Sequence, residues 1–188
     1  IFDKYLKIFL EFADSEDEII FNDLGALKIV SSLENKNFKI GIGRFYSYQK
    51  RGVQKLYNAI QPEDLIDVPI LDKETISFLR NLGVERIEID AVPYGLNILE
   101  TYGMKISLYE NNLLTSYTIN CPYTYTGNYW GRKCNRQCLI NSMILRSEEA
   151  TSDIYQVGKA FYQNTIPSKT TKIDRIVSFS WKPNQINK

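Results

Sequence analysis

Short apolar segments alternate with amphipathic helical segments through the first half of this chain, and this alternation constrains its fold most. Residues 19–21 and 38–42 have the composition of short buried strands. Between them, Leu24, Leu27 and Val30 recur at helical spacing. Strands that alternate with helices are typical of a parallel sheet covered by helices. The sequence therefore predicts an α/β protein.

The same rhythm continues further along the chain. Asp72 is predicted to cap a helix that ends at Gly83, and residues 86–90 alternate in polarity like a strand. Residues 105–109 and 113–117 are also predicted strands. Less regular predictions follow: a short strand over 68–70, strands over 139–145 and 173–179, and a weak helix over 153–161.

Chain length limits how large the sheet can be. A complete (β/α)8 barrel needs about 250 residues, with about 200 as the lower end, and the chain has 188. We therefore predict a single α/β domain over 1–188, built as a partial or split TIM-type (β/α) barrel. It would be the later part of a larger barrel, with a cysteine-bearing loop and extra strands in the C-terminal half. An open α/β sheet that is complete in itself is the alternative.

Composition excludes several functional classes. The 23 basic and 22 acidic residues nearly balance, which gives no general electrostatic footprint for nucleic acid. No apolar run approaches the roughly 20 residues of a membrane span. The charged, amphipathic first residues do not resemble a secretory signal, so we expect a cytoplasmic protein. Histidine is absent, which removes the usual Ser-His and Cys-His nucleophile pairs.

Three cysteines lie close together in an otherwise polar, glycine-containing loop. Cys121, Cys134 and Cys138 fall within 18 residues, and basic residues occur within 132–136. Thiolates are the ligands that zinc and iron–sulfur clusters prefer, and basic neighbours would offset the charge of such a centre. Zinc would need a fourth ligand, and the chain has no histidine to provide it. Three cysteines without a shared role are the alternative to a metal centre.

Two further groups of residues are candidates for binding a ligand. Arg44 and Tyr94 each follow a predicted strand, and active residues of α/β barrels cluster at the carboxyl ends of strands. Arg44 is suited to gripping a carboxylate, although a solvated arginine and a packing tyrosine would explain the pattern too. Trp130 lies in the cysteine loop, where it would shield a cluster, stack on a substrate ring or simply pack the loop.

The segment Asn22-Asp23-Leu24-Gly25, placed between a short strand and a helix, resembles the collagenase-like peptidase U32 family. The spacing of Cys121, Cys134 and Cys138 resembles the branch of that family that acts in oxygen-independent ubiquinone biosynthesis. The resemblance covers residues 18–145. It implies a [4Fe-4S] cluster on these three cysteines. The family's fourth cysteine comes from an early barrel segment that has no counterpart here.

The resemblance also implies a function. Members of this branch hydroxylate quinone precursors or RNA bases without dioxygen, and the oxygen atom is attributed to prephenate. The chain would then be a component of an oxygen-independent hydroxylase. Its partners would be a small aromatic substrate or RNA and a related protein chain that completes the barrel or the cluster. A non-catalytic module stapled by zinc or a cluster, and a U32-type peptidase, are the competing hypotheses.

Overall fold

The structure is a computed structural model, and it describes residues 2–34, 36–51, 66–93, 95–118, 143–146, 148, 153–163, 165 and 172–178. Three α-helices lie in this part of the chain: α1 (Phe2–Phe12), α2 (Leu24–Ser31) and α3 (Lys73–Asn81). None of the helices described here is both long and apolar enough to cross a bilayer.

A parallel sheet of five strands forms the centre of the fold. Its strands are β1 (Glu18–Phe21), β2 (Lys39–Ile42), β3 (Val84–Asp90), β4 (Lys105–Glu110) and β9 (Arg175–Ser178). They are hydrogen-bonded in the order β1-β2-β3-β4-β9, every neighbouring pair is parallel, and the sheet is curled. The prediction of an α/β fold is confirmed, and the curled sheet is consistent with part of a barrel.

The remaining strands form a separate antiparallel sheet. They are β5 (Leu113–Tyr117), β6 (Met143–Leu145), β7 (Ile154–Val157) and β8 (Ala160–Gln163), in the order β5-β8-β7-β6. The predicted helix over 153–161 is wrong, because β7 and β8 make a hairpin there. Gly158 takes a φ of 60° in the connecting turn, a conformation that suits glycine, and β-branched and aromatic residues fill the flanking strands.

Local signals place the helices where the sequence predicts them. The Asp23 side chain accepts a hydrogen bond from the Ala26 amide at 2.7 Å, and so caps α2. Asp72 does the same for α3, accepting from the amide of Glu74 at 2.8 Å. The predicted strand over 68–70 is wrong: a 3-10 turn, Pro69–Leu71, occupies this segment, since proline fixes φ and removes a backbone donor.

One face of the parallel sheet is apolar and carries the hydrophobic core. Buried side chains of the strands pack there against buried side chains of α2 and α3. These are Ile40, Ile42, Ile87, Ile89, Ile106 and Leu108 from the strands and Leu27, Val30, Ile76 and Leu79 from the helices. Burial of this apolar surface is the main stabilising contribution to the fold.

The opposite face of the same sheet is polar. Arg86 on β3 donates from Nε to Glu18 Oε1 at 2.7 Å, and its Nη1 lies 3.3 Å from the Ser107 hydroxyl oxygen. Arg175 donates from Nη1 to the other carboxylate oxygen of Glu18 at 2.6 Å. Glu18 lies on β1, at one edge of the sheet. It therefore links that edge to the central strand β3 and to β9 at the other edge.

The contact between Glu18 and Arg175 requires strong curvature. In a flat sheet, five strands spaced by about 4.8 Å would hold the two edges about 19 Å apart. An extended arginine and an extended glutamate together span only about 12 Å, given bond lengths of about 1.5 Å. The edges must therefore curl toward each other, with the polar residues on the concave face.

Gly41 lets side chains cross the middle of this concave face. A Cβ at this position would lie 2.4 Å from Ile20 Cδ1 and 3.5 Å from Arg86 Cβ. Since Gly41 pairs in register with Ile20 on one side and Arg86 on the other, its missing side chain leaves room for both.

We expect Gly41→Ala to lower the free energy of unfolding by about 1–3 kcal/mol, because the new methyl group overpacks against Ile20. Ile20→Val removes the Cδ1 atom that makes the closest contact. Urea unfolding of the two single variants and the double variant completes a double-mutant cycle. Ile20→Val should relieve part of the destabilisation caused by Gly41→Ala, with a coupling free energy of about 1 kcal/mol. Strict additivity would contradict this packing.

Glu18 makes stability depend on pH. Burial disfavours its charged form, but hydrogen bonds from Arg86 and Arg175 outweigh that effect and lower the pKa of Glu18 below its ordinary 4.5. Because the folded pKa is lowered, this contribution is present above pH 4.5 and is lost as the pH falls below that value.

We expect chemical denaturation at a series of pH values to show this loss in wild type and in Glu16→Gln, whose carboxylate is exposed. Glu18→Gln should be less stable at pH 7 and should show a shallower decline in acid. An unchanged acid slope in Glu18→Gln would contradict the assignment.

Candidate functional site

A cluster of polar side chains lies at the carboxyl ends of β2, β3 and β4. Arg44 begins a 3-10 turn, Arg44–Ser47, directly after β2. Asp90 is the last residue of β3, and its register partner Tyr109 lies on β4. Carboxyl ends of parallel strands share one edge of the sheet, which is where α/β proteins bind ligands.

Asp90 is the centre of this cluster. Its side chain is 1% exposed, and Oδ1 accepts a hydrogen bond from Arg44 Nη1 at 2.9 Å. Arg51 Nη2 forms an ion pair with the other oxygen, Oδ2. Burial raises the pKa of Asp90, while the charges of Arg51 and Arg44 oppose that rise. Two guanidinium groups on one carboxylate give this group of three residues a net positive charge.

The backbone of Asp90 is held as firmly as its side chain. Gln49 Nε2 donates to the Asp90 carbonyl oxygen at 2.7 Å, and the Asp90 amide donates to Gln49 Oε1 at 2.8 Å. The Gln49 amide group thus makes the pair of hydrogen bonds that a peptide group of a neighbouring strand would make. Ser47 Oγ and Arg51 Nη2 each donate to the Arg44 carbonyl oxygen at 2.8 Å, which fixes the turn itself.

Glu88 and Tyr109 form a second pair on the same face of the sheet. The Tyr109 hydroxyl donates to Glu88 Oε1 at 2.7 Å. The guanidinium carbon of Arg44 lies 4.5 Å from the centroid of the Tyr109 ring, within the range of a cation–π contact. Tyr109 thus connects the Asp90 group to Glu88.

The two members of this pair have shifted ionisation. Burial raises the pKa of Glu88, and the hydrogen bond from Tyr109 acts in the opposite direction. Burial, with the hydrogen bond to Glu88 and the charge of Glu88, raises the pKa of Tyr109 to about 12. Buried acids with shifted pKa values are common at functional sites.

Of the residues that the sequence singles out, the structure describes Arg44 and places it at the carboxyl end of β2. There it pairs with Asp90 and stacks on Tyr109. Tyr94, Trp130 and the three cysteines, Cys121, Cys134 and Cys138, lie outside the described residues. Within the described ranges, no group of three Cys, Asp or Glu side chains is arranged to hold a metal ion.

In the sequence, strand alternation accounts for Glu88 and Asp90, and no motif marks Gln49, Arg51 or Tyr109. The available signal was the alternation itself. Strands of a parallel sheet are ordinarily apolar on both faces, whereas β3 carries a charged residue at every second position.

Comparisons with protein-family models, with curated proteins and with solved structures found no match.

We expect Asp90→Asn to destabilise the protein by about 3–5 kcal/mol, because two guanidinium groups lose their buried counterion. Glu85→Gln is the matched control, since Glu85 lies on the same strand but is 53% exposed, and it should change stability by less than about 0.5 kcal/mol. Urea unfolding compares the two. Equal effects would show that Asp90 does not organise the cluster.

Proposed function

We propose that this chain is an iron–sulfur protein of an oxygen-independent hydroxylation system, with Cys121, Cys134 and Cys138 holding a [4Fe-4S] cluster. The observation that carries the proposal is the set of donors: three cysteines within 18 residues, in a chain without histidine. Thiolates are the usual ligands of such clusters. Three thiolates leave one iron of the cluster to be bound by a fourth ligand, which comes from elsewhere in the protein or from a related chain.

We also propose that the parallel sheet is part of a TIM-type barrel. Eight strands tilted by about 36° and spaced by about 4.8 Å close into a barrel about 15 Å across. Strands four positions apart then face each other, and β1 and β9 are four positions apart in the sheet. The ion pair between Glu18 and Arg175 supports this geometry.

Barrel closure gives the proposed partner a structural role. The described sheet has five strands, so a barrel of eight would need three more between β9 and β1. We propose that a related protein chain supplies them or supplies the missing cluster ligand.

The polar edge of the sheet is the proposed binding site for a small aromatic substrate. The Arg44 guanidinium is oriented by Asp90 on one side and by the Tyr109 ring beneath it. A guanidinium has five donors in a rigid fork, so an oriented one is suited to binding a carboxylate. When bound, the cluster supplies electron transfer, and the residues of this edge bind and orient the substrate.

The test is anaerobic purification of the full chain, followed by measurement of iron, acid-labile sulfide and zinc per chain. We expect iron and sulfide in matching amounts in wild type, and loss of most of both in Cys134→Ser, because a thiolate ligand is removed. Arg44→Gln is the matched control and should keep its iron, since it alters the edge of the sheet and no thiolate.

Other results would overturn the proposal in distinct ways. Zinc in place of iron would indicate a structural site that staples the loop. If the protein contains neither metal, or if Cys134→Ser keeps its full iron content, the three cysteines do not share a metal centre.

A further inference from the structure

We propose that the outer face of α1 is the interface through which two copies of this chain form a dimer, with the two α1 helices antiparallel. This inference goes beyond the proposed function, because it concerns the surface of a helix and involves neither the cysteines nor the ends of the strands. Two features of α1 carry it: an exposed apolar stripe, and a pair of charges beside that stripe.

The helix α1 has apolar side chains on two of its faces. Leu6 and Leu10, one helical turn apart, pack against the hydrophobic core. A surface helix ordinarily has polar side chains on the face that is turned away from the core. In α1 much of that face is occupied by four large apolar residues, which we call the outer stripe: Tyr5, Ile8, Phe9 and Phe12.

The outer stripe is continuous and exposed. Its residues follow the spacing i, i+3, i+4, i+7, which places them within an arc of about 100° on the helix. Tyr5 is 66% exposed and Phe12 79%. Phe9 lies at the border with the core, where its ring meets that of Phe38 edge-on, with 5.6 Å between the ring centroids. A contiguous exposed apolar surface of this kind marks a contact surface for another molecule.

The area of the outer stripe is suited to a weak dimer. A large aromatic side chain buries about 150–250 Å², so the exposed parts of the stripe amount to roughly 450 Å² per copy. With the aliphatic stems of the flanking side chains, two copies would bury about 1,000 Å² in total, which is the lower end of specific interfaces. We therefore expect a reversible dimer with a dissociation constant on the order of 10 μM.

Two charged residues flank the outer stripe on one side. Lys4 and Glu11 are both exposed, and their separation of seven residues places them on the same side of the helix, two turns apart. The positive charge lies near the amino end of α1 and the negative charge near its carboxyl end. This order is the reverse of the one that stabilises an isolated helix, so helix stability does not explain it.

An antiparallel pair of α1 helices brings these charges together. A two-fold axis perpendicular to the helices can place Tyr5 opposite Phe12 of the second copy and Ile8 opposite Phe9. The same axis puts the two charged flanks side by side in opposite directions. Lys4 then lies within about 3 Å, measured along the helix, of Glu11 of the second copy, and the pair occurs twice.

A parallel pair would not give this match. Its two-fold axis runs along the helices, so the charged flank of one copy lies on the opposite side from that of the other. The positions of Lys4 and Glu11 therefore favour the antiparallel orientation, in the way that flanking charges set orientation in coiled coils.

The first test is sedimentation velocity of the anaerobically purified full chain, at concentrations from well below to well above about 10 μM. We expect a concentration-dependent equilibrium between monomer and dimer in wild type. Phe12→Ser should raise the dissociation constant at least about tenfold, because it removes the most exposed side chain of the outer stripe. Phe78→Ser is the matched control: Phe78 is 54% exposed on α3, outside the stripe, and its variant should dimerise like wild type.

Charge reversal tests the orientation. Lys4→Glu and Glu11→Lys each place like charges opposite one another in the antiparallel pair, so each should raise the dissociation constant about fivefold. The double variant Lys4→Glu/Glu11→Lys reverses both charges and should return to the affinity of wild type. These residues are exposed, so the charge variants test the interface even if Phe12→Ser does not fold.

A chain that stays monomeric at all concentrations, or a folded Phe12→Ser that dimerises like wild type, would overturn the interface. A double charge variant that dimerises no better than the single variants would overturn the antiparallel orientation. A monomer that instead binds phosphatidylcholine vesicles through Phe12 would assign the outer stripe to a lipid surface and overturn the dimer. Iron analysis separates these outcomes from the cluster proposal, since Phe12→Ser should keep its iron and Cys134→Ser should still dimerise.

Discussion

The two ion pairs of Glu18 are the constraint on which the concave face depends. The carboxylate reaches Arg86 near the middle of the sheet and Arg175 on the far edge, at 2.7 and 2.6 Å. Since a flat sheet would keep those edges about 19 Å apart, these contacts and the curvature require each other. Curvature in turn directs the polar residues of β3 and β4 toward a common centre, and the candidate site lies at the carboxyl end of that concave face.

A charged concave face is unusual for a parallel sheet, since the strands of such sheets are ordinarily apolar on both faces. Here the charges are tolerated because they are paired: Arg86 is satisfied by Glu18 and Ser107. Small residues such as Gly41 leave the space that the long side chains cross. The ion pairs of Glu18 at the amino end link β1 to β3 and β9, whereas at the carboxyl end Arg44 and Arg51 pair with Asp90.

Local features of this fold could be predicted from sequence, and features that depend on distant pairing could not. The helix caps at Asp23 and Asp72 involve contacts of two or three residues, so a short pattern suffices. The sequence predicts a helix over 153–161, whereas the strands there are held by pairing with each other and with the more distant β5 and β6. Arg44 could be placed by the strand-end rule, but its partner Asp90, 46 residues away, follows only from β2 lying beside β3.

Glu88 and Asp90 show how one strand can give the same functional group two roles. Both carboxyl groups point to the polar face, and burial raises the pKa of each. The side chain of Asp90 forms ion pairs with Arg44 and Arg51, and Gln49 hydrogen-bonds to its backbone, so a change in its charge would disrupt the turn that carries Arg44. Among the described residues Glu88 forms no ion pair, and its carboxylate accepts a hydrogen bond from the Tyr109 hydroxyl. The same edge of the sheet thus combines a carboxylate that is bound by two arginines with one that is bound by a tyrosine hydroxyl.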